Sequence, residues 1–328
     1  MNRRENRREW LQLLCLATAI GFSLPSSAQN SYPSHPVKVV VGFPPGSSTD
    51  VAARVVAQRM SDSLGQQFIV ENRPGASSNI AAKTVASAPP DGYTLFVATI
   101  ANAINASFQP DVSVDLMKEF TPIAMIGRVP NLLVAHPSLK VESVKELIDA
   151  AKQKPGEITF AAFGLGSTTH LYMEMLQSMA GVKFQSVQYK GTTPMVADVV
   201  AGHVNVTSVS LGQSLPLHND GRVKILGVAT KQRVPALPDI PTVAESVPGF
   251  EAKAWFGLFA PAGTPADIVE KLSAELQAMG ADAEFREKVL GPYRMTPITS
   301  SPADFKAFVQ NEAAMWKKII DERKLQID

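Results

Sequence analysis

Cysteine is nearly absent: Cys15 is the only one in 328 residues, and it lies in the apolar stretch near the start. A chain that loses this stretch has no thiol for a disulfide or for thiolate chemistry. An excess charge of either sign is missing too. Lys and Arg number 31 against 30 Asp and Glu, so neither nucleic acid nor an anionic membrane is an expected partner. Beyond Val114 no uniformly apolar segment of about 20 residues occurs, which disfavours an integral membrane protein. Catalytic signatures are lacking as well. There is no Gly-x-Ser-x-Gly elbow and no Walker loop, and Gly42 and Gly46 around Pro44-Pro45 do not make a dinucleotide fingerprint. His35, His136, His170, His203 and His218 include no His-x-x-x-His pair for zinc. No cofactor and no metal is expected.

The first thirty residues are of a different kind. Arg3, Arg4, Arg7 and Arg8 form a basic head, an apolar run extends from Trp10 to about Leu24, and Ser26-Ser27-Ala28 is a small-residue end. This is the pattern of a cleaved export signal, with the cut after Ala28. Leu14 is too bulky for Cys15 to be a lipid-attachment site. Asn6-Arg7-Arg8-Glu9-Trp10-Leu11-Gln12 resembles a twin-arginine signal, and the general route is the alternative. Without residues 1–28 the chain keeps 27 basic and 28 acidic side chains. At about 300 residues it buries enough surface to fold without staples.

The remainder alternates strand and helix. Val37–Val41 is a β-branched run broken by Gly42-Phe43-Pro44-Pro45-Gly46-Ser47-Ser48, after which Val51, Val55, Val56 and Leu64 mark a helix that Gly65 ends. Phe68–Asn72 is a strand, 79–86 a helix and 93–98 a strand. This order predicts a parallel sheet with helices on its faces. The grammar restarts with strands at 131–135, 158–162, 184–189, 204–209 and 225–230. Helices are expected at 144–152, 170–180 and 193–201, and at 265–279, 281–289 and 302–319 near the end. The apolar segment 254–260 reads as the chain returning to the first block. The fold class is therefore α/β with two lobes and a ligand cleft between them: 1–28 a signal peptide, 29–129 with 255–328 one lobe, 130–254 the other.

The informative constellation occurs twice. In each lobe a strand ends in a glycine-containing, hydroxyl-rich loop that opens a helix: Phe43 to Asp50 in one, Phe163 to His170 in the other. The first amides of a helix have no internal partner and carry partial positive charge, so such a terminus binds carboxylate or phosphate without lysine or arginine. Phe43, Ser47, Ser48, Thr49, Gly164, Gly166, Ser167 and Thr168 are candidates on this ground. Ordinary N-capping is the competing reading of each loop. Asp50 either satisfies first-turn amides or touches a ligand hydroxyl or ammonium. His170 is either a donor to a carboxylate or a structural histidine. Ser77, Ser78, Asn79, Thr99 and Asn102 follow the second and third strands at the sheet edge where open sheets place ligands, although Thr99 also suits a cap.

Across YPSHPVKVVVGFPPGSSTDVAARVVAQRM, FIVENRPGASSNIAAKTVASAPPDGYTL, FAAFGLGSTTHLYMEML, VQYKGTTPMVADVVAGHVN and IPTVAESVPGFEAKAWFGLFAPAGTPADIVEKL the sequence resembles the substrate-binding proteins of tripartite tricarboxylate transporters, the Bug family. The resemblance implies a periplasmic-binding-protein-like fold, a monomer in the periplasm, a small organic acid as ligand and membrane permease subunits as partners. It adds Lys190 and Gly191 to the candidates. Two departures stand out: Gly46-Ser47 replaces a paired glycine, and Ser77-Ser78 replaces Gly-Gly. The segment Ser208–Gly212 lacks the acid or amide that relatives often carry, which points to a ligand without an amino group. Two other readings remain open. One is a sensor of the same fold; the other is a hydrolase or isomerase using Ser167 and His170.

Overall fold

The computed structural model describes residues 32–108, 114–164, 167–235, 237–252, 254–291 and 295–323. The proposed signal peptide, its cleavage site and Gly166 lie outside them. Every strand and helix of the described residues falls in one compact unit, His35–Asp328. The chain begins with β1 (Val37–Val41), α1 (Ser48–Leu64), β2 (Phe68–Asn72), α2 (Asn79–Ala86), β3 (Thr94–Thr99) and α3 (Ile100–Phe108). It continues through β4 (Phe120–Val129), β5 (Asn131–Ala135), α4 (Val144–Gln153), β6 (Thr159–Ala162), α5 (Thr168–Ala180) and β7 (Gln185–Gln188). After α6 (Thr192–Val200), β8 (Val206–Ser210), α7 (Leu211–Asn219) and β9 (Lys224–Val228) come β10 (Ala254–Pro261), α8 (Ala266–Ala281), β11 (Thr296–Pro297) and α9 (Pro302–Arg323).

Two sheets result. One has the order β11-β4-β10-β3-β1-β2, the other β7-β6-β8-β5-β9. β1 is parallel to β2 and β3, and β6 is parallel to β7 and β8. The inner strands β1, β3, β6 and β8 are buried almost throughout, as continuous apolar runs such as Val39–Val41 dictate, whereas β2 and β7 at the sheet edges are largely uncovered. The purely parallel expectation needs correction. β10 is antiparallel to β3 and β4, while β5 is antiparallel to β8 and β9. The reason is the path of the chain. β4 runs into β5 through Pro130 alone, leaving the first sheet for the second. The return strand β10 enters beside this exit, with Ala254 opposite Val129.

Both sheets share a continuous core from Phe96 and Phe160 through Tyr172 to Trp255, Phe305 and Trp316. Gly257 on β10 has a steric duty there. A Cβ at that position would lie 2.1 Å from Cζ of Phe305 on α9. Gly257→Ala should therefore overpack the core and cost about 1–3 kcal/mol. A urea unfolding midpoint unchanged by the substitution would remove this account of the glycine.

Candidate functional site

The parallel strands β1, β2 and β3 end at one edge, and β6, β7 and β8 end at another; the candidate loops spring from these ends. At α1, Ser47 is extended and its Oγ accepts from Asp50 N at 3.3 Å. At α5, Ser167 does the same for His170 N at 3.3 Å. Val51 N and Leu171 N bond to the carbonyls of Ser47 and Ser167. Between these satisfied groups, the N–H groups of Ser48, Thr49, Thr168 and Thr169 have no hydrogen-bond partner among the described residues. Capping and unpartnered amides thus coexist in each loop among the described residues, because one hydroxyl reaches only one of the orphan amides.

These four residues line one inner chamber, together with Phe43, Ser47, Thr99, Phe163, Ser208, Ser210 and Trp255. No Lys, Arg, His, Asp or Glu lines it. A roomier outer chamber is bordered by Phe43, Ser77, Ser78, Gly164, Ser167, Lys190 and Gly191. Four sequence candidates line neither chamber: Asp50, Asn79, Asn102 and His170. Each is placed elsewhere by its surroundings. Asn79 opens α2 and is buried. Asn102 Oδ1 accepts from Thr99 N while Thr99 Oγ1 accepts from Ala101 N, so this pair caps α3.

Asp50 is 2% exposed and acts behind the loop. Its Oδ2 accepts from Gly46 N at 2.9 Å and Arg54 Nε at 3.0 Å, and its Oδ1 from Asn72 Nδ2 at 2.8 Å. Asn72 Nδ2 also donates to Phe43 O at 3.0 Å, and Arg54 Nη2 to Asn72 Oδ1 at 3.2 Å. This triangle pins both ends of the Phe43–Ser47 turn. Burial alone would raise the Asp50 carboxyl, but Arg54, the Gly46 amide and Asn72 outweigh it and hold the group below its ordinary range.

His170 is 4% exposed beside Phe160. Burial lowers its pKa to about 4, so it is neutral at pH 7. Its Nε2 lies 3.7 Å from Glu174 Oε1, too far for a hydrogen bond and, with a neutral ring, not an ion pair. Such a ring belongs to the core.

The two departures from the glycine pattern are informative. Ala76, Ser77 and Ser78 have φ of 47°, 49° and 74°, the left-handed region that glycine adopts freely. Asn105 Nδ2 donates to Ser77 O at 2.9 Å and helps hold the turn. Ser78 Oγ is buried without a partner against Gly42, where a Cβ would sit 1.8 Å from it. Ser78 therefore offers no exposed hydroxyl to the cleft, and Ser47 Oγ already accepts one bond, from Asp50 N.

Sequence reasoning overlooked Asn131, Gln213 and Trp255, all of which line the inner chamber. Gln213 stands just beyond Ser208–Gly212 and corrects the impression that no amide reaches the cleft there; Ser210 Oγ donates to its Oε1 at 3.1 Å. Asn131 and Trp255 lie at the two crossings between sheets, and neither carries a local motif. Among the described residues no group of three His, Cys, Asp or Glu is placed to hold a metal, and no helix is long and apolar enough to cross a membrane.

The model of the tripartite tricarboxylate transporter family receptor, TctC, matches residues 52–325. The chain belongs to this receptor family. BugT of Bordetella pertussis is 34% identical to it over 311 residues, 94% of each chain. Among solved structures, R. palustris Rpa4515 with adipate has a TM-score of 0.85 at 39% identity, covering 90% of this chain and 99% of that one. The periplasmic binding protein BugD gives 0.83 at 32% identity over 90% and 99%. The receptor thus shares its two-sheet α/β architecture with periplasmic binding proteins, and the family is one of receptors rather than enzymes.

Proposed function

We propose that this receptor captures a small organic carboxylate in the periplasm and presents it to the permease of a tripartite transporter, releasing it chemically unchanged. The observation that carries the reading is the inner chamber, where unpartnered amides from α1 and α5 meet and no charged side chain intrudes. Opposed helix starts concentrate partial positive charge on one anion, and each charge-assisted hydrogen bond contributes about 1.5–3 kcal/mol. Adipate in Rpa4515 supports a carboxylate as the ligand class. The first sheet with its helices (29–129 and 255–328) and the second (130–254) act as two lobes. They close about the two crossings between the sheets, one at 129–131 and one before β10, and the closed face is what the permease reads. Residues 1–28 act as the export signal, and the exported receptor works as a monomer.

Binding is expected to quench or shift the fluorescence of Trp255, which is fully buried at the inner chamber. At a hundredfold excess over Kd, ligand should add about 2.7 kcal/mol and raise the melting temperature by several degrees. A panel of aliphatic and aromatic mono-, di- and tricarboxylates that moves neither signal would refute the capture reading.

A further inference from the structure

The two chambers share a boundary made of two side chains, Phe43 and Phe163. Their rings meet edge to face, with centroids 6.0 Å apart and planes at 83°. One comes from the loop after β1, the other from the end of β6, so the contact spans the cleft. The loop after β7 approaches the Phe43 loop as well: a Cβ on Gly191 would lie 3.4 Å from Pro44 Cγ. Phe43 is held from behind through Asn72 Nδ2 on its carbonyl. Phe163 packs on the core beneath the second sheet.

What lies on either side of this aromatic strip is polar in different ways. The inner chamber offers amides and no charge. The outer chamber has one charged lining residue, Lys190, which is exposed and makes no ion pair among the described residues. Two hydroxyl protons of the chamber walls are already committed: Thr169 Oγ1 donates to Ser208 O at 3.0 Å, and Tyr189 Oη to Asp198 Oδ2 at 2.8 Å. A molecule reaching from one chamber to the other must lay its middle on two phenyl rings. A hydroxyl there would be stripped of water with poor replacement.

We infer that Phe43 and Phe163 form an apolar collar that selects a dicarboxylate with a bare hydrocarbon middle, one carboxylate on the helix starts and the other beside Lys190. This rests on the carboxylate-capture reading and adds to it a rule of selection against hydroxylated diacids. The rule is read by calorimetry on the exported chain with adipate, with galactarate, which has the same carbon backbone but a hydroxyl on every middle carbon, and with hexanoate, which lacks the second carboxylate. Adipate should bind at least about tenfold more tightly than galactarate, and Lys190→Gln should weaken adipate while leaving hexanoate unmoved. Phe163→Ser should erase most of the adipate preference, and Phe163→Leu, still apolar, should keep it. Galactarate binding as tightly as adipate to the unaltered protein overturns the collar whether or not the serine variant folds. So does a preference that survives in a cooperatively melting Phe163→Ser protein. If none of the three acids nor any other carboxylate binds, the capture reading itself fails and the collar with it.

Discussion

Asp50→Ala is expected to destabilise the receptor by about 3 kcal/mol and to weaken carboxylate binding by tenfold or more. The carboxylate is buried and accepts from the Gly46 amide, Arg54 and Asn72. Removing it leaves a loop amide and a side-chain amide with unmet hydrogen bonds, at about 1–3 kcal/mol each. The Arg54 contribution is small, because that side chain is 53% exposed. Affinity should fall because the released turn carries Phe43 and aims the Ser48 and Thr49 amides. Urea unfolding and calorimetry on one preparation separate the two roles this residue could have. A loss of binding at unchanged stability would make Asp50 a ligand contact after all, whereas loss of both is what the staple requires. The linkage has a definite sign. The folded carboxyl lies below its unfolded value near 3.9, so its contribution is complete above that value and is lost as pH falls through the depressed one.

Acid should also unfold the protein through His170, in a higher and separate window. Its folded pKa is about 4 against 6.5 for an open chain. Between these values the unfolded state binds the proton and the folded state does not, so stability rises with pH there. The contribution is whole above pH 6.5 and shrinks by about 3 kcal/mol on descending to pH 4. Glu174 opposes this drift, since burial pushes its carboxyl up and acid relieves the strain. Thermal melts at pH 7, 5.5 and 4.5 should show a fall that is much reduced in His170→Gln. Parallel curves for the two proteins would show that the ring is not buried as a neutral group.

The architecture was legible wherever local chemistry and tertiary setting agreed. Val37–Val41 is β-branched and 131–135 mostly apolar, enough to read both as strands, and α2 at 79–86 is bounded by a serine turn and by Ser87. β4 escaped notice because Pro122 and Gly127 interrupt its apolar run, and only pairing with β10 and β11 makes it a strand. α7 carries Pro216 inside it and has little amphipathic character. The loops of the cleft could be read from hydroxyls and glycines before a helix. The choice between ligand contact and structural role at Asp50 and His170 could not. Those roles depend on Asn72 and Phe160, side chains brought near only by the sheets.

The amide-lined inner chamber has a consequence for life in acid. Peptide N–H groups neither gain nor lose a proton over any pH a bacterium survives. Wherever the fold itself holds, the strength of capture should follow the ionisation of the acid being carried. Uptake in a souring medium would then decline as the nutrient becomes neutral, before any change in the amides that grip it.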